Sequence, residues 1–85
     1  FPNPFNPDVN LSFTLDNEAS LLALEVYDIQ GALVNTLSSG YHATGIHDFN
    51  WDGNDTQGNA VSSGVYMVRL SANSVVHIQR VTLLR

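Results

Sequence analysis

The chain contains no cysteine, so no disulfide framework, thiol nucleophile or thiolate metal site can be built from it. It also has no lysine. Arg69, Arg80 and Arg85 are its only strong cations, against eight acids and a net charge of −5. That balance excludes a nucleic-acid backbone as partner, because almost nothing is available to displace its counterions. It equally excludes a polybasic membrane anchor. No apolar run approaches the ~20 residues of a transmembrane helix, and no signal-peptide pattern is visible. No stretch keeps apolar residues at i, i+3, i+4 and i+7 over three turns, so helix is not expected. Charged residues make up 13%, about half the usual ~25%. Asn, Ser, Thr and Gly stand in their place, and a 44% hydrophobic fraction argues against disorder. The opening at Phe1-Pro2, without an initiator Met, reads as a fragment or a processed product of a longer chain.

What is present is alternation. Turn residues punctuate it every 8–12 or so positions, the pattern of a sandwich or barrel. Residues 1–7 form a Pro- and Asn-rich arm that can pair only poorly, because proline lacks an N–H. Val9 to Leu15 places Val9, Leu11, Phe13 and Leu15 on one face. Ser20 to Asp28 turns Leu22, Leu24 and Val26 inward. Ala32 to Leu37 follows, and Asn35-Thr36 breaks its alternation, as a bulge or an edge strand would. A loop is expected from Ser38 to about Gly45, containing Tyr41 and His42. Ile46 to Trp51 carries His47, Phe49 and Trp51 on one face. Asp52 to Ala60 is polar, with turns at Gly53 and Gly58. Val61 to Ser71, interrupted at Ser63-Gly64, points Tyr66, Val68 and Leu70 inward. A hairpin at Ala72-Asn73-Ser74 leads into Val75 to Leu84. Residues 1–85 thus read as one all-β, immunoglobulin-like antiparallel β-sandwich of about seven strands. Its expected core is Phe13, Leu24, Val26, Phe49, Trp51, Tyr66, Val68 and Leu70.

Several pieces, in order along the chain, resemble a known family. They are Phe1-Pro2-Asn3-Pro4-Phe5-Asn6-Pro7, then Val26-Tyr27-Asp28 with Gly31, then Gly45, His47, Trp51-Asp52-Gly53, Asp55 and Gly58. Ser63-Gly64-Val65-Tyr66, Leu70 and the tail Arg80-Val81-Thr82-Leu83-Leu84-Arg85 complete the set. Together they look like the C-terminal sorting domain of the type IX (Por) secretion system. The same pattern is similar to the Ig-like domain of the flagellar hook-capping protein. The sorting resemblance implies a secreted Gram-negative protein sent through the outer membrane and attached to surface polysaccharide. It also implies a recognition signal on the last strand, here Arg80, Val81, Leu83, Leu84 and Arg85. Arg stands where the family commonly has Lys.

Other motifs admit chemical and structural readings side by side. Asp52, Asn54 and Asp55 can offer oxygens to Ca²⁺, but the spacing departs from the EF-hand pattern; alternatively they cap a tight Gly loop. His42, His47 and Asp48 lack a third ligand, and strand neighbours such as His47 and Asp48 point to opposite faces. A triad of Ser63, His47 and Asp52 can be written down, but no nucleophile elbow accompanies it. Trp51, Tyr41 and Tyr27 can form a sugar-stacking platform; alternatively Trp51 is core and Tyr66 a corner residue whose hydroxyl bonds backbone. Glu25 or Asp28 is expected to pair with Arg69 or Arg80 across strands. No enzyme activity, cofactor or metal is expected. The main expectation is a sorting and attachment module whose partner is the outer-membrane secretion machinery. The alternative is a self-assembling subunit of an extracellular filament or surface layer, with identical subunits as partners. A weaker third reading is a carbohydrate-binding accessory module.

Overall fold

Residues whose side chains alternate between apolar and polar pair into six strands in the computed structural model, which describes residues 8–85. They are β1 (Val9–Leu15), β2 (Ala19–Asp28), β3 (Leu33–His42), β4 (Gly45–Trp51), β5 (Gly64–Ala72) and β6 (Val75–Leu83). β1 and β4 form a two-stranded sheet, and the other four form a sheet of order β3-β2-β5-β6. Every pairing is antiparallel. The fold is an all-β, Ig-like sandwich, with six strands among the described residues in place of the expected seven. The Pro-rich arm at residues 1–7 lies outside the described residues.

The pleat sends successive side chains to opposite faces, and the two inner faces meet in one core. Leu11 and Leu15 of β1 and Trp51 of β4 meet Leu22, Leu24 and Val26 of β2 and Tyr66, Val68 and Ala72 of β5. Val81 and Leu83 of β6 close it. Of the residues assigned to the core from sequence, Leu24, Val26, Trp51, Tyr66 and Val68 are buried. Phe13, Phe49 and Leu70 are half-buried and pack against the rest. Among the described residues no polar or charged residue is buried. Cohesion therefore comes from apolar burial, at roughly 25 cal/mol per Å².

Two expected boundaries move. The polar run Ser38-Ser39-Gly40 is not a loop: these residues pair with Leu24, Ala23 and Leu22, and β3 continues through His42. The backbone ladder does not need apolar side chains, which is why composition hid the strand. Conversely, residues 61–63 do not join β5. The Val61 N–H donates to the Gly53 carbonyl, 3.0 Å away, which holds this stretch against the 52–60 loop. The β3 ladder shifts register between Leu24 and Glu25 and again between Val26 and Tyr27, beside Asn35-Thr36, and β3 is a sheet edge. β5 and β6 are joined by Asn73-Ser74, both at positive φ (51° and 64°). A two-residue type I′ turn requires this conformation, and Asn adopts it with little strain. The Asn73 amide also donates to the Glu18 carbonyl, tying this turn to the one between β1 and β2.

Candidate functional site

The richest polar structure lies at one end of the sandwich, where two turns share a design. In Asp28-Ile29-Gln30-Gly31-Ala32, Asp28 Oδ1 accepts from the N–H groups of Gln30 and Ala32, both at 2.9 Å. In Asp55-Thr56-Gln57-Gly58-Asn59, Asp55 Oδ1 accepts from Gln57 and Asn59, again at 2.9 Å. Each Asp N–H reaches the carbonyl four residues on, and each Gly N–H returns to the Asp carbonyl. Gly31 and Gly58 sit at φ 87° and 84°, a region most side chains avoid. Sequence reasoning missed this repeat, although Asp-x-Gln-Gly at both places was its signal.

The oxygens considered for Ca²⁺ lie in and beside the second of these turns. Asp55 is occupied capping its own loop. Asp52 Oδ1 accepts from the Asn54 N–H at 3.1 Å, and Oδ2 from the Asn54 amide at 3.2 Å. Asp52 Oδ1 and Asp55 Oδ1 thus accept from backbone N–H groups and Asp52 Oδ2 from a side-chain amide, and no group of three metal-ligating side chains forms among the described residues. The loop is also pinned to its surroundings. The Asn54 carbonyl accepts from the buried Trp51 indole and from the Asn35 amide, both at 2.9 Å. The Thr56 N–H donates to Val34 at 3.1 Å.

Arg85 closes this end. Its backbone N–H donates to Ser63 Oγ at 2.9 Å. Its guanidinium donates through Nε to the Val61 carbonyl and through a terminal nitrogen to the Gly53 carbonyl. Arg85, the last residue of the expected recognition signal, is thus engaged in holding a loop. Val81 and Leu83, the signal's other anchors, are core residues, whereas Arg80 and Leu84 are exposed. Tyr66 locks the adjoining stretch: its hydroxyl donates to the Ser62 carbonyl at 2.6 Å, and its ring meets Trp51 edge-on, centroids 5.0 Å apart.

The hypothetical triad is not assembled. Ser63 is bonded to Arg85 at this end. His47 lies four residues along β4 from Trp51, on the order of 13 Å. Its Nε2 contacts the Ala43 carbonyl at 2.7 Å. His47 belongs instead to an aromatic cluster at the open end of the inner face. Phe13 stacks on Phe49 at 5.3 Å, and His42 meets His47 edge-on at 5.2 Å. His42 is held by Ser38 Oγ at 3.0 Å, from β3 and not from a loop. The sugar platform fails on burial: Trp51 has no exposed surface. Tyr41 is exposed and donates to Glu18 at 2.9 Å; Tyr27 donates to Glu25 at 3.0 Å. Both phenols are raised above their ordinary 10.0, first by these hydrogen bonds, because ionisation would forfeit a donor to a carboxylate. Glu25 also pairs with its cross-strand neighbour Arg69 at 3.5 Å.

What remains at the surface is edges. β3 and β6 terminate the larger sheet. Shallow grooves occur between β1 and β6 and beside the Asp28 turn. No acid, base and nucleophile converge in either. The fold and surface define an Ig-like sandwich domain whose loop-end polar groups cap backbone donors and whose larger sheet ends, among the described residues, in the edge strands β3 and β6.

The family is specific. The model of the FlgD Ig-like domain family matches residues 4–75, and the chain belongs to that family. Among curated proteins it is similar to the basal-body rod modification protein FlgD of Escherichia coli (strain K12), 35% identical over 60 residues, 71% of this chain. It is 33% identical over 60 residues to the FlgD of Salmonella typhimurium. The chain spans about a quarter (26%) of the length of these relatives. Its structure is similar to that of P. aeruginosa FlgD, with a TM-score of 0.64 and 29% identity over 89% of this chain and 60% of that one. FlgD of Xanthomonas campestris, described for the hook capping essential for flagellar assembly, shares the fold at a TM-score of 0.52 and 24% identity, covering 92% of this chain and 54% of that one.

These matches correct the expectation of a type IX sorting module, with its secretion-machinery partner: the family, the curated relatives and the solved structures are all FlgD. The physical reason lies in the residues that carried the resemblance. Trp51 and Tyr66 are core, Gly53 and Gly58 are turn positions, and Asp55 is a cap. They specify the sandwich, not a secretion route.

Proposed function

We propose that this domain is a non-catalytic structural module of a hook-capping or rod-modification type protein, acting outside the cell in flagellar assembly beside identical subunits. Membership of the FlgD Ig-like domain family carries this reading. The chemistry supports it. Polar side chains at the loop end cap backbone donors, and His42 and His47 contact neighbouring carbonyls and rings. A sandwich whose loops are internally capped is rigid, which suits a part that sets the spacing of neighbours. Weak surface charge, 13% of residues, limits repulsion between copies brought close together.

The test is to delete residues 1–85 from the host protein in its own bacterium and image the flagella. Absent or malformed hooks with otherwise normal envelopes are expected. Hooks of normal number and length in cells that still make the truncated protein would contradict the reading.

A further inference from the structure

Among the described residues, one edge of the sandwich carries none of the usual features that block strand addition. β6 pairs with β5 through nine consecutive residue pairs, Gly64 with Leu83 to Ala72 with Val75, without a register shift. Its other side has no partner strand among the described residues. Natural edge strands are blunted by bulges, proline, inward charges or short length. β3, the opposite edge of the same sheet, follows that rule with its register shifts. β6 has no bulge, no proline and no acid, and Arg80 is its only fixed charge. Val75, Val76 and Ile78 are 51%, 48% and 65% exposed, and all six residues from Val75 to Arg80 face solvent. A long, regular, apolar and open edge is a template for another strand.

Charge and register point to the occupant. A chain of net charge −5 repels a second copy over most of its surface, and β6 is a stretch with no acid to contribute. Two antiparallel β6 strands related by a twofold axis at Ile78 would place Ile78 against Ile78 and Gln79 against His77. Arg80 would face Val76, so the two guanidinium-bearing positions lie four residues apart, about 13 Å along the strand. That exceeds the Debye length of roughly 8 Å at physiological salt. Moving the axis to Arg80 sets the two arginines directly opposite each other, which is destabilising. The Ile78 axis thus pairs exposed apolar positions at the centre of the edge while keeping the arginines apart.

We propose that β6 is a self-association edge: two copies join antiparallel through Val75–Val81 with their twofold at Ile78, making one continuous eight-stranded sheet. This rests on the assembly reading above and names its surface. Main-chain hydrogen bonds supply attraction along the edge, and exposed Val76 and Ile78 of each copy are covered by the other.

The absence of cysteine makes the test clean. In Ile78→Cys the two thiols would lie opposite each other, at a Cα separation of about 4.5–5.5 Å that a disulfide can bridge. Under mild oxidation a covalent dimer is expected for Ile78→Cys and not for Leu21→Cys, which is 75% exposed on β2. Sedimentation velocity of the unmodified chain should show a monomer–dimer equilibrium. Ile78→Lys should weaken it at least about tenfold, with unchanged Trp51 fluorescence reporting an intact core. Dimers that persist undiminished in Ile78→Lys would overturn the β6 edge while leaving the assembly reading standing. A chain that stays monomeric to about 1 mM, where association is worth only about 4 kcal/mol, would also overturn it. The deletion phenotype separately judges the assembly reading.

Discussion

Removing one oxygen from Tyr66 should measurably loosen the loop end of the sandwich. Tyr66→Phe keeps the ring that meets Trp51 at 5.0 Å and deletes only the hydroxyl that reaches Ser62 across 2.6 Å. The core is therefore left filled, and the loss is that of one hydrogen bond with its acceptor left partly unpaired. Such a loss costs about 1–1.5 kcal/mol. An 85-residue domain has about 4–13 kcal/mol of stability in all, at about 0.05–0.15 kcal/mol per residue. Trp51 is the single tryptophan, so urea unfolding followed by its fluorescence reads the event directly. With a slope of about 1 kcal/mol per M for a domain this small, the midpoint should fall by about 1–1.5 M at unchanged slope. Tyr41→Phe, which removes an exposed hydroxyl, should shift it far less. A Tyr66→Phe midpoint within about 0.2 M of the parent would refute the view that this bond anchors residues 61–64.

The other expectations are smaller or conditional. Asp28→Ala and Asp55→Ala each strip two backbone N–H groups of their acceptor. Each should cost roughly 1–2 kcal/mol by chemical denaturation, and added Ca²⁺ should not raise the melting temperature of the parent chain. A double-mutant cycle on Glu25 and Arg69, half-exposed and 3.5 Å apart, should give a coupling below about 1 kcal/mol that shrinks with salt. Tyr27 and Tyr41 hold their protons above the ordinary 10.0 in the folded state. Their contribution is therefore complete below pH 10 and is lost as pH rises past it. Phenolate absorbance should show Tyr27 and Tyr41 ionising late, and stability should decline over the same range.

The inner faces of the sandwich were open to reading because burial imposes a period of two. Leu22, Leu24 and Val26 announced β2, and Tyr66 and Val68 announced β5. The second half of β3 was not, because Ser38, Ser39 and Gly40 are held by a backbone ladder that leaves no apolar mark. Capping chemistry was half legible. Asp52, Asn54 and Asp55 stood out as oxygen-rich, but a carboxylate facing a cation and one facing two N–H groups look alike until the loop is built. Arg85 carries bonds that left no sign in the sequence. A terminal arginine invites a role in recognition, yet its bonds to Gly53, Val61 and Ser63 depend on a chain reversal far away in sequence. The role was misassigned for a related reason: the residues that gave the resemblance serve the core and turns, which sandwiches with different duties share.

Antibodies raised against residues 1–85 and applied with gold label to intact cells test the account most directly. Label gathered on extracellular hook structures is the predicted result. Label confined to the cell body, with hooks and filaments bare, would contradict it.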